Sequence, residues 1–312
     1  MAILLATNFD AAELAAWWPA LQHALPAERL LRDRSELAAG ESIDIALVAN
    51  PPSGALAGLP ALRLVQSLWA GVDKLLADRS VPADVPLARM VDPAMNEAMA
   101  ETALWAVLSV QRAFFRYARQ QSEPVWRQLP QRRADETRVA VLGLGQMGRT
   151  CALRLAGNGY RVSGWSRGET NVAGIDALAG EAALVPALAD ADVVVNLLPL
   201  TDSTRGLFDA RTFARMRRGA ALINLARGAH VVEADLLDAL AGGQLGHAVL
   251  DVFTNEPLPA THPFWSHPRI TVLPHVAALT DPRSAALIVA RNVMALREGR
   301  ALENLVDRSR GY

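Results

Sequence analysis

The chain has 312 residues, room for two domains, and its 51% hydrophobic and 20% charged residues suit a folded protein with a sizeable core. A net charge of −1 with no long run of one sign gives no electrostatic basis for nucleic acid or an anionic membrane as partner. The single cysteine, Cys151, excludes an intrachain disulfide and a cysteine-based metal centre, and "MAILLATNFD" lacks the basic and long apolar stretches of a signal peptide, so no metal and a cytoplasmic location are expected.

The first hundred residues alternate short apolar runs with a helical pattern. "AILLATNF" precedes "AAELAAWWPALQHAL", and "IDIALVAN", "LRLVQSL" and "LARMVD" follow. Apolar runs of this length predict parallel strands of an α/β layer, buried on both faces. One long helix is predicted from Met95 through "MNEAMAETALWAVLSVQRAFFRYARQQ", because apolar residues recur there at three and four. The polar, proline-broken "PVWRQLPQRRADET" then predicts an exposed arm.

A second α/β unit starts at "RVAVLGLG", a strand, followed by the helix "QMGRTCALRLAGNG" and the strand "YRVSGWS". Further strands are predicted at "ADVVVNLLP", "AALINLAR", "GHAVLDVF" and "RITVLPH", with helices between most of them. This is the alternation of a doubly wound sheet. A final amphipathic helix is predicted at "DPRSAALIVARNVMALREG".

Between the strand and the helix lies "GLGQMG". Gly143 would make the turn, Gly145 would let a pyrophosphate approach the helix N-terminus at Gln146 and Met147, and Gly148 would let helix and strand pack. The second strand ends in "WSRGE". Ser166 and Arg167 stand where an NAD site carries an acid, and a hydroxyl with a guanidinium suits a 2′-phosphate. NADP(H) is therefore the preferred cofactor, while Glu169, two residues on, keeps NAD(H) open.

Three strands of this unit end in chemically active residues. Arg227 closes "AALINLAR", Asp251 and Glu256 follow "GHAVL", and His275 closes "RITVLPH". Ligands of open α/β sheets bind beyond the carboxyl ends of the strands, so Arg227, Glu256 and His275 face the edge that carries the glycine turn.

With these motifs the chain resembles the D-2-hydroxyacid dehydrogenase family, and within it the branch that reduces glyoxylate and hydroxypyruvate. The segments carrying the likeness are "SLWAGVDKLL", "VLGLGQMGR", "WSRG", "NLLPLTDSTRGLF", "INLARGAHVVE", "LDVFTNEPLP", "HPRITVLPHVAA" and "VDRSRGY". The resemblance implies two Rossmann-like, doubly wound parallel-sheet α/β domains. A flavodoxin-like substrate domain (1–98 and 282–312) would be interrupted by an NAD(P)-binding domain (99–281). It implies NADPH-dependent reduction of a small 2-oxo acid, glyoxylate to glycolate or hydroxypyruvate to D-glycerate. Arg227 would hold the carboxylate and polarise the keto oxygen, His275 would donate the proton, and Glu256 would orient the imidazole. Backbone amides of Ala70 and Gly71 would meet the substrate carboxylate beside Trp69, which either closes the pocket or simply packs. Asp251 would receive the nicotinamide amide. Leu198, Pro199, Thr204, Ala226 and Ala277 would line the cofactor, and the 95–130 region, including Trp126, would form a homodimer contact.

Other readings remain beside this one. The β-hydroxyacid dehydrogenases share "GLGxMG" but need a lysine after it, and the only lysine here, Lys74, precedes it. A reductase of a bulkier 2-oxo acid such as phenylpyruvate, or a dinucleotide-sensing binding protein of the same fold, would carry the same motifs.

Overall fold

The computed structural model describes all residues, 1–312. The chain divides into two compact units, Met1–Met95 with Thr280–Tyr312, and Asn96–Leu279.

The first unit begins with β1 (Ala2–Thr7), α1 (Ala11–Ala24), β2 (Leu30–Leu31), β3 (Ile43–Ala49), β4 (Leu64–Ser67), α2 (Asp73–Ala77) and β5 (Leu87–Ala88). The strands pair in the order β2-β1-β3-β4-β5, all parallel, the flavodoxin-like winding. Every residue of β3 is buried, as its run, apolar but for Asp44, predicts. Asp10 opens α1 with a reciprocal capping box: its carboxylate accepts from the Glu13 amide, and Glu13 accepts from the Asp10 amide.

The chain crosses into the second unit along α3 (Pro93–Gln111), followed by α4 (Phe114–Ser122). The single long helix expected here is therefore two. Ala113 adopts a left-handed φ of 58° and breaks the run. The break lets Phe115 stack on His247 with ring centroids 4.4 Å apart, and meet Trp105 edge-on at 5.5 Å. Tertiary packing overrides the local helical pattern. After a turn at Glu123–Pro124, residues 125–133 form neither helix nor strand and are almost wholly exposed, as the arm reading expects.

Then come β6 (Arg138–Leu142), α5 (Gln146–Gly157), β7 (Arg161–Ser166), β8 (Asp176–Ala179), α6 (Glu181–Asp190), β9 (Val193–Asn196), α7 (Ala210–Arg215), β10 (Ala220–Asn224), α8 (Glu233–Ala241), β11 (Leu245–Leu250) and β12 (Ile270–Val272). The seven strands run parallel in the order β12-β11-β10-β9-β6-β7-β8. That is the Rossmann winding with one added edge strand, and its order reverses between β6 and β9. Helices cover both faces. In β9, Val194 packs into one core with Leu142 and Leu222, while Val193 and Val195 pack into the other with Val141 and Ile223. Strand β8 was not expected. It lies at the sheet edge with mostly exposed residues, so it carries no apolar signature.

The last helix, α9 (Pro282–Arg297), returns to the first unit and packs against α1. Its Arg297 pairs with Glu28 at 2.8 Å and with the fully buried Asp44 of β3. Its Asn292 donates to Gln66 of β4 at 2.7 Å. No helix of the chain is long and apolar enough to cross a membrane.

Candidate active site

The three fingerprint glycines are needed for three different reasons. Gly143 ends β6 with φ +97°, and a Cβ there would lie 2.8 Å from the Leu197 carbonyl oxygen. Gly148 lies in the first turn of α5, where a Cβ would come within 1.7 Å of the Gly143 oxygen. Gly145 caps α5 with nothing within 4 Å of its Cβ position, so its face is open. The amides of Gln146, Met147 and Gly148 have no carbonyl one turn earlier within the helix, which makes this open end an anion cradle. A dinucleotide pyrophosphate fits that description.

The Gly143 amide donates to Trp165 at 2.8 Å, which sets the end of β7 beside the turn. Ser166 closes β7 and donates its hydroxyl to the Gly168 carbonyl at 2.8 Å, leaving its oxygen able to accept. Arg167, Gly168 and Glu169 are exposed. No carboxylate therefore closes the strand itself, and the guanidinium follows directly.

Across the switch point, β9 and β10 end on Asn196 and Asn224, both fully buried. Asn196 Nδ2 donates to Asn224 Oδ1 at 2.9 Å, and Asn196 Oδ1 accepts the Leu198 amide at 3.2 Å. Asn224 Nδ2 donates to the Arg227 carbonyl at 2.9 Å, and its Oδ1 also accepts the Ala226 amide at 3.3 Å. The buried His230 sets Nδ1 3.1 Å from the Arg227 carbonyl and Nε2 3.3 Å from the Pro199 carbonyl. Burial holds its pKa below the ordinary histidine value. Together these contacts form a closed polar ring that ties the Leu198–Pro199 loop to the Arg227 loop. Thr204 belongs to the same loop. Its hydroxyl donates to Pro199 at 2.8 Å and accepts from the Thr201 amide, so it fastens the turn.

Arg227 is half-buried, and its Nη1 donates to the Ala226 carbonyl at 2.7 Å. Next to it, Gly228 lies directly on the backbone of the neighbouring loop: a Cβ there would sit 2.0 Å from the Phe253 carbonyl carbon. The Phe253 amide in turn donates to Glu256 Oε1 at 2.9 Å. Glu256 Oε2 lies 2.9 Å from His275 Nδ1. A backbone donor and the imidazole thus both hold the carboxylate, and Nε2 is the other polar atom of the His275 ring. His275 has a left-handed φ of 55°, uncommon for a residue with a side chain, and its amide donates to the Asp251 carbonyl at 2.9 Å.

Asp251 is almost wholly buried and ties down the same turn. Its Oδ1 accepts from Val276 at 2.8 Å, and both its oxygens accept from Ala277 at 3.1 Å. Burial pushes its pKa up, against the two amides, which favour the charged form. The Ala277 carbonyl accepts from Thr102 of α3 at 2.8 Å.

Trp69, Ala70 and Gly71 belong to the first unit, just beyond β4. The Trp69 ring meets Trp17 edge-on at 5.8 Å and Phe9 at 6.0 Å. The loop is braced by Ser67, whose hydroxyl accepts from the Trp69 amide and donates to its carbonyl, and by the Met90 amide.

The sequence reading named Gly143, Gly145, Gly148, Arg227, Glu256 and His275 but missed Asn196, Asn224 and His230. A signal for the two asparagines was present, since the strands in "VVVNLLP" and "ALINLAR" both end on Asn-Leu.

Residues 104–277 match the family model described as D-isomer specific 2-hydroxyacid dehydrogenase, NAD binding domain. Glyoxylate/hydroxypyruvate reductase A of Serratia proteamaculans is 42% identical over 274 residues, 86% of this chain and 88% of its own. Among solved structures, a D-isomer specific 2-hydroxyacid dehydrogenase from Xanthobacter autotrophicus Py2, in complex with NADPH and MES, superposes with a TM-score of 0.93 at 40% identity, over 100% of this chain and 99% of that one. The NADPH-dependent glyoxylate/hydroxypyruvate reductase of Sinorhizobium meliloti, in complex with NADP and sulfate, gives 0.93 at 34% identity over 99% of each chain. The chain belongs to the D-isomer-specific 2-hydroxyacid dehydrogenases, a family of oxidoreductases.

Proposed function

We propose that this enzyme uses NADPH to reduce small 2-oxo acids, glyoxylate to glycolate and hydroxypyruvate to D-glycerate. The observation that carries the reading is the 2.9 Å contact between His275 Nδ1 and Glu256 Oε2 beside the Arg227 loop. It is the arrangement a general acid needs, with one imidazole nitrogen anchored and the other directed at substrate. The names of the relatives from Serratia and Sinorhizobium support the choice of substrate.

Bound at the glycine turn, NADPH supplies the hydride. Gly143, Gly145, Gln146, Met147 and Gly148 hold the pyrophosphate. Ser166 and Arg167 take the 2′-phosphate, in keeping with the NADPH and NADP bound by the two solved relatives. Leu198, Pro199, Thr204, Ala226 and Ala277 shape the surface for the rest of the cofactor. Asp251 accepts the nicotinamide amide with the lone pairs its two backbone donors leave over. Arg227 draws electron density from the keto oxygen, and His275 gives that oxygen its proton from Nε2. Glu256 holds the ring through Nδ1. Ala70 and Gly71 offer amides to the carboxylate, and the packed Trp69 ring bounds the space for the rest of the substrate.

We infer that the enzyme works as a homodimer through the 95–130 region. That segment exposes Trp105, Leu108 and Phe114, and Trp126 is 98% exposed, an unusual density of large apolar side chains in water.

The test is a matrix of NADPH and NADH against glyoxylate, hydroxypyruvate, pyruvate and phenylpyruvate. The highest kcat/KM is expected with NADPH and glyoxylate or hydroxypyruvate. Equal rates with NADH would overturn the roles of Ser166 and Arg167, and a preference for phenylpyruvate would overturn the small pocket.

A further inference from the structure

We propose that Arg89 is a substrate-binding residue, a second cation for the 2-oxo acid carboxylate, placed beside the amides of Ala70 and Gly71. The inference rests on the reading that the substrate is a 2-oxo acid.

Arg89 follows β5 directly, at the carboxyl edge of the five-stranded sheet, where parallel α/β sheets bind ligands. The Met90 amide donates to the Trp69 carbonyl at 3.1 Å, so Arg89 adjoins the Trp69–Ala70–Gly71 loop. Its neighbours Ala88 and Met90 are fully buried. Leu87, two residues earlier, packs in the cluster with Val72 and Leu75, which follow Gly71, so the end of β5 and the Trp69–Gly71 loop are tied together on both sides. The backbone of Arg89 thus lies next in sequence to a residue bonded to that loop, at the carboxyl end of its strand.

Its charge has no counterpart. The side chain is half-buried, and desolvation alone pushes its pKa down, with no carboxylate near enough to oppose the shift. Other arginines of the same unit behave differently. Arg297 is held by Glu28 and Asp44, and Arg308 donates to the carbonyls of Pro82 and Val85 at 2.9 Å. The Arg89 nitrogens are not sealed from water, since Ser80 Oγ is the one buried side-chain polar atom without a hydrogen-bond partner, so an incoming anion can reach the guanidinium. The missing partner is a planar anion, which the five-donor fork of arginine grips in two places. A carboxylate docked on the amides of Ala70 and Gly71 supplies it.

The experiment compares wild type with Arg89→Gln and Arg89→Lys on glyoxylate and on its uncharged methyl ester. It also follows Tm of the cofactor-free proteins with added oxalate. For Arg89→Gln, KM for glyoxylate is expected to rise roughly 10- to 100-fold, the loss of a charge-assisted pair. KM for the ester should stay within about twofold, by the same argument, because the ester has no charge to lose. Arg89→Lys should recover part of the acid preference. Oxalate should raise Tm of wild type and raise that of Arg89→Gln clearly less. Equal losses on acid and ester, or undiminished protection of Arg89→Gln by oxalate, would overturn the assignment. If wild type reduces neither compound, the proposed function fails, and the oxalate shift alone decides Arg89.

Discussion

Asn196 and Asn224, fully buried at the ends of adjacent strands, share a hydrogen bond of 2.9 Å, and each uses its remaining amide atoms to hold the loop that follows its own strand. The loop carrying Arg227 is therefore positioned from β9 as well as from β10. Asn224→Ala would leave the Asn196 amide group, the Ala226 amide and one contact of the Arg227 carbonyl unanswered. The expected cost is about 1–3 kcal/mol for each buried group left unpaired. Denaturant melts should show that loss, and kcat should fall with it while the protein remains folded.

His275→Ala should lower kcat by roughly 10²- to 10⁴-fold, the usual contribution of a positioned acid. Glu256→Gln keeps an oxygen for His275 Nδ1 and should retain more activity than Glu256→Ala. Steady-state kinetics with the best 2-oxo acid and NADPH measures both. Near-normal turnover in His275→Ala would remove it from the reaction.

The glycine turn makes paired predictions. Gly148→Ala would force a methyl against the Gly143 carbonyl, so the β6–α5 turn must shift and Tm should drop. Gly145→Ala has open space and an ordinary φ of −67°, so its Tm should stay close to wild type. Its KM for NADPH should nevertheless rise, because the methyl stands where the pyrophosphate approaches. A Gly145→Ala enzyme with unchanged cofactor affinity would contradict the proposed cradle.

His247 gives a pH dependence. Burial, with smaller contributions from His267 and Arg119, lowers its pKa to about 4. The unfolded chain takes up this proton near pH 6.5, before the folded chain does, so the contribution to stability is intact above that pH and is lost as pH falls toward 4. The loss amounts to about 3 kcal/mol. His247→Gln should flatten the stability profile over this window, measured by urea melts at a series of pH values.

Cys151 should be inert while the protein is folded. Its side chain is fully buried within α5, and burial pushes its pKa up to about 12. A thiol-directed reagent should label the protein only under denaturing conditions. Fast labelling of the native protein would show that α5 opens.

The central strands were legible in the sequence because both faces of each are buried, which makes their runs almost wholly apolar. The β8 edge was not, since "DALA" lies mostly in water and shows no pattern. The break at Ala113 was hidden for another reason. Nothing in an alanine announces a left-handed φ, and its cause, the stacking of Phe115 on His247, comes from a strand far along the chain. In the candidate site, Arg227, Glu256 and His275 stand out as chemical oddities after apolar strands. Asn196 and Asn224 read as ordinary polarity until sheet order brings together residues 28 apart.

Helix α9 has a bearing on how the chain is made. The first unit draws on both ends of the sequence, and the buried Asp44 finds its guanidinium only when Arg297 has been synthesised. During synthesis the unit spanning Asn96–Leu279 is complete first, and the earlier strands wait, with one carboxylate uncompensated, for the last helix to arrive. A fragment ending before α9 would therefore lose more than a terminus: it would leave the N-terminal sheet without the residue that neutralises its interior.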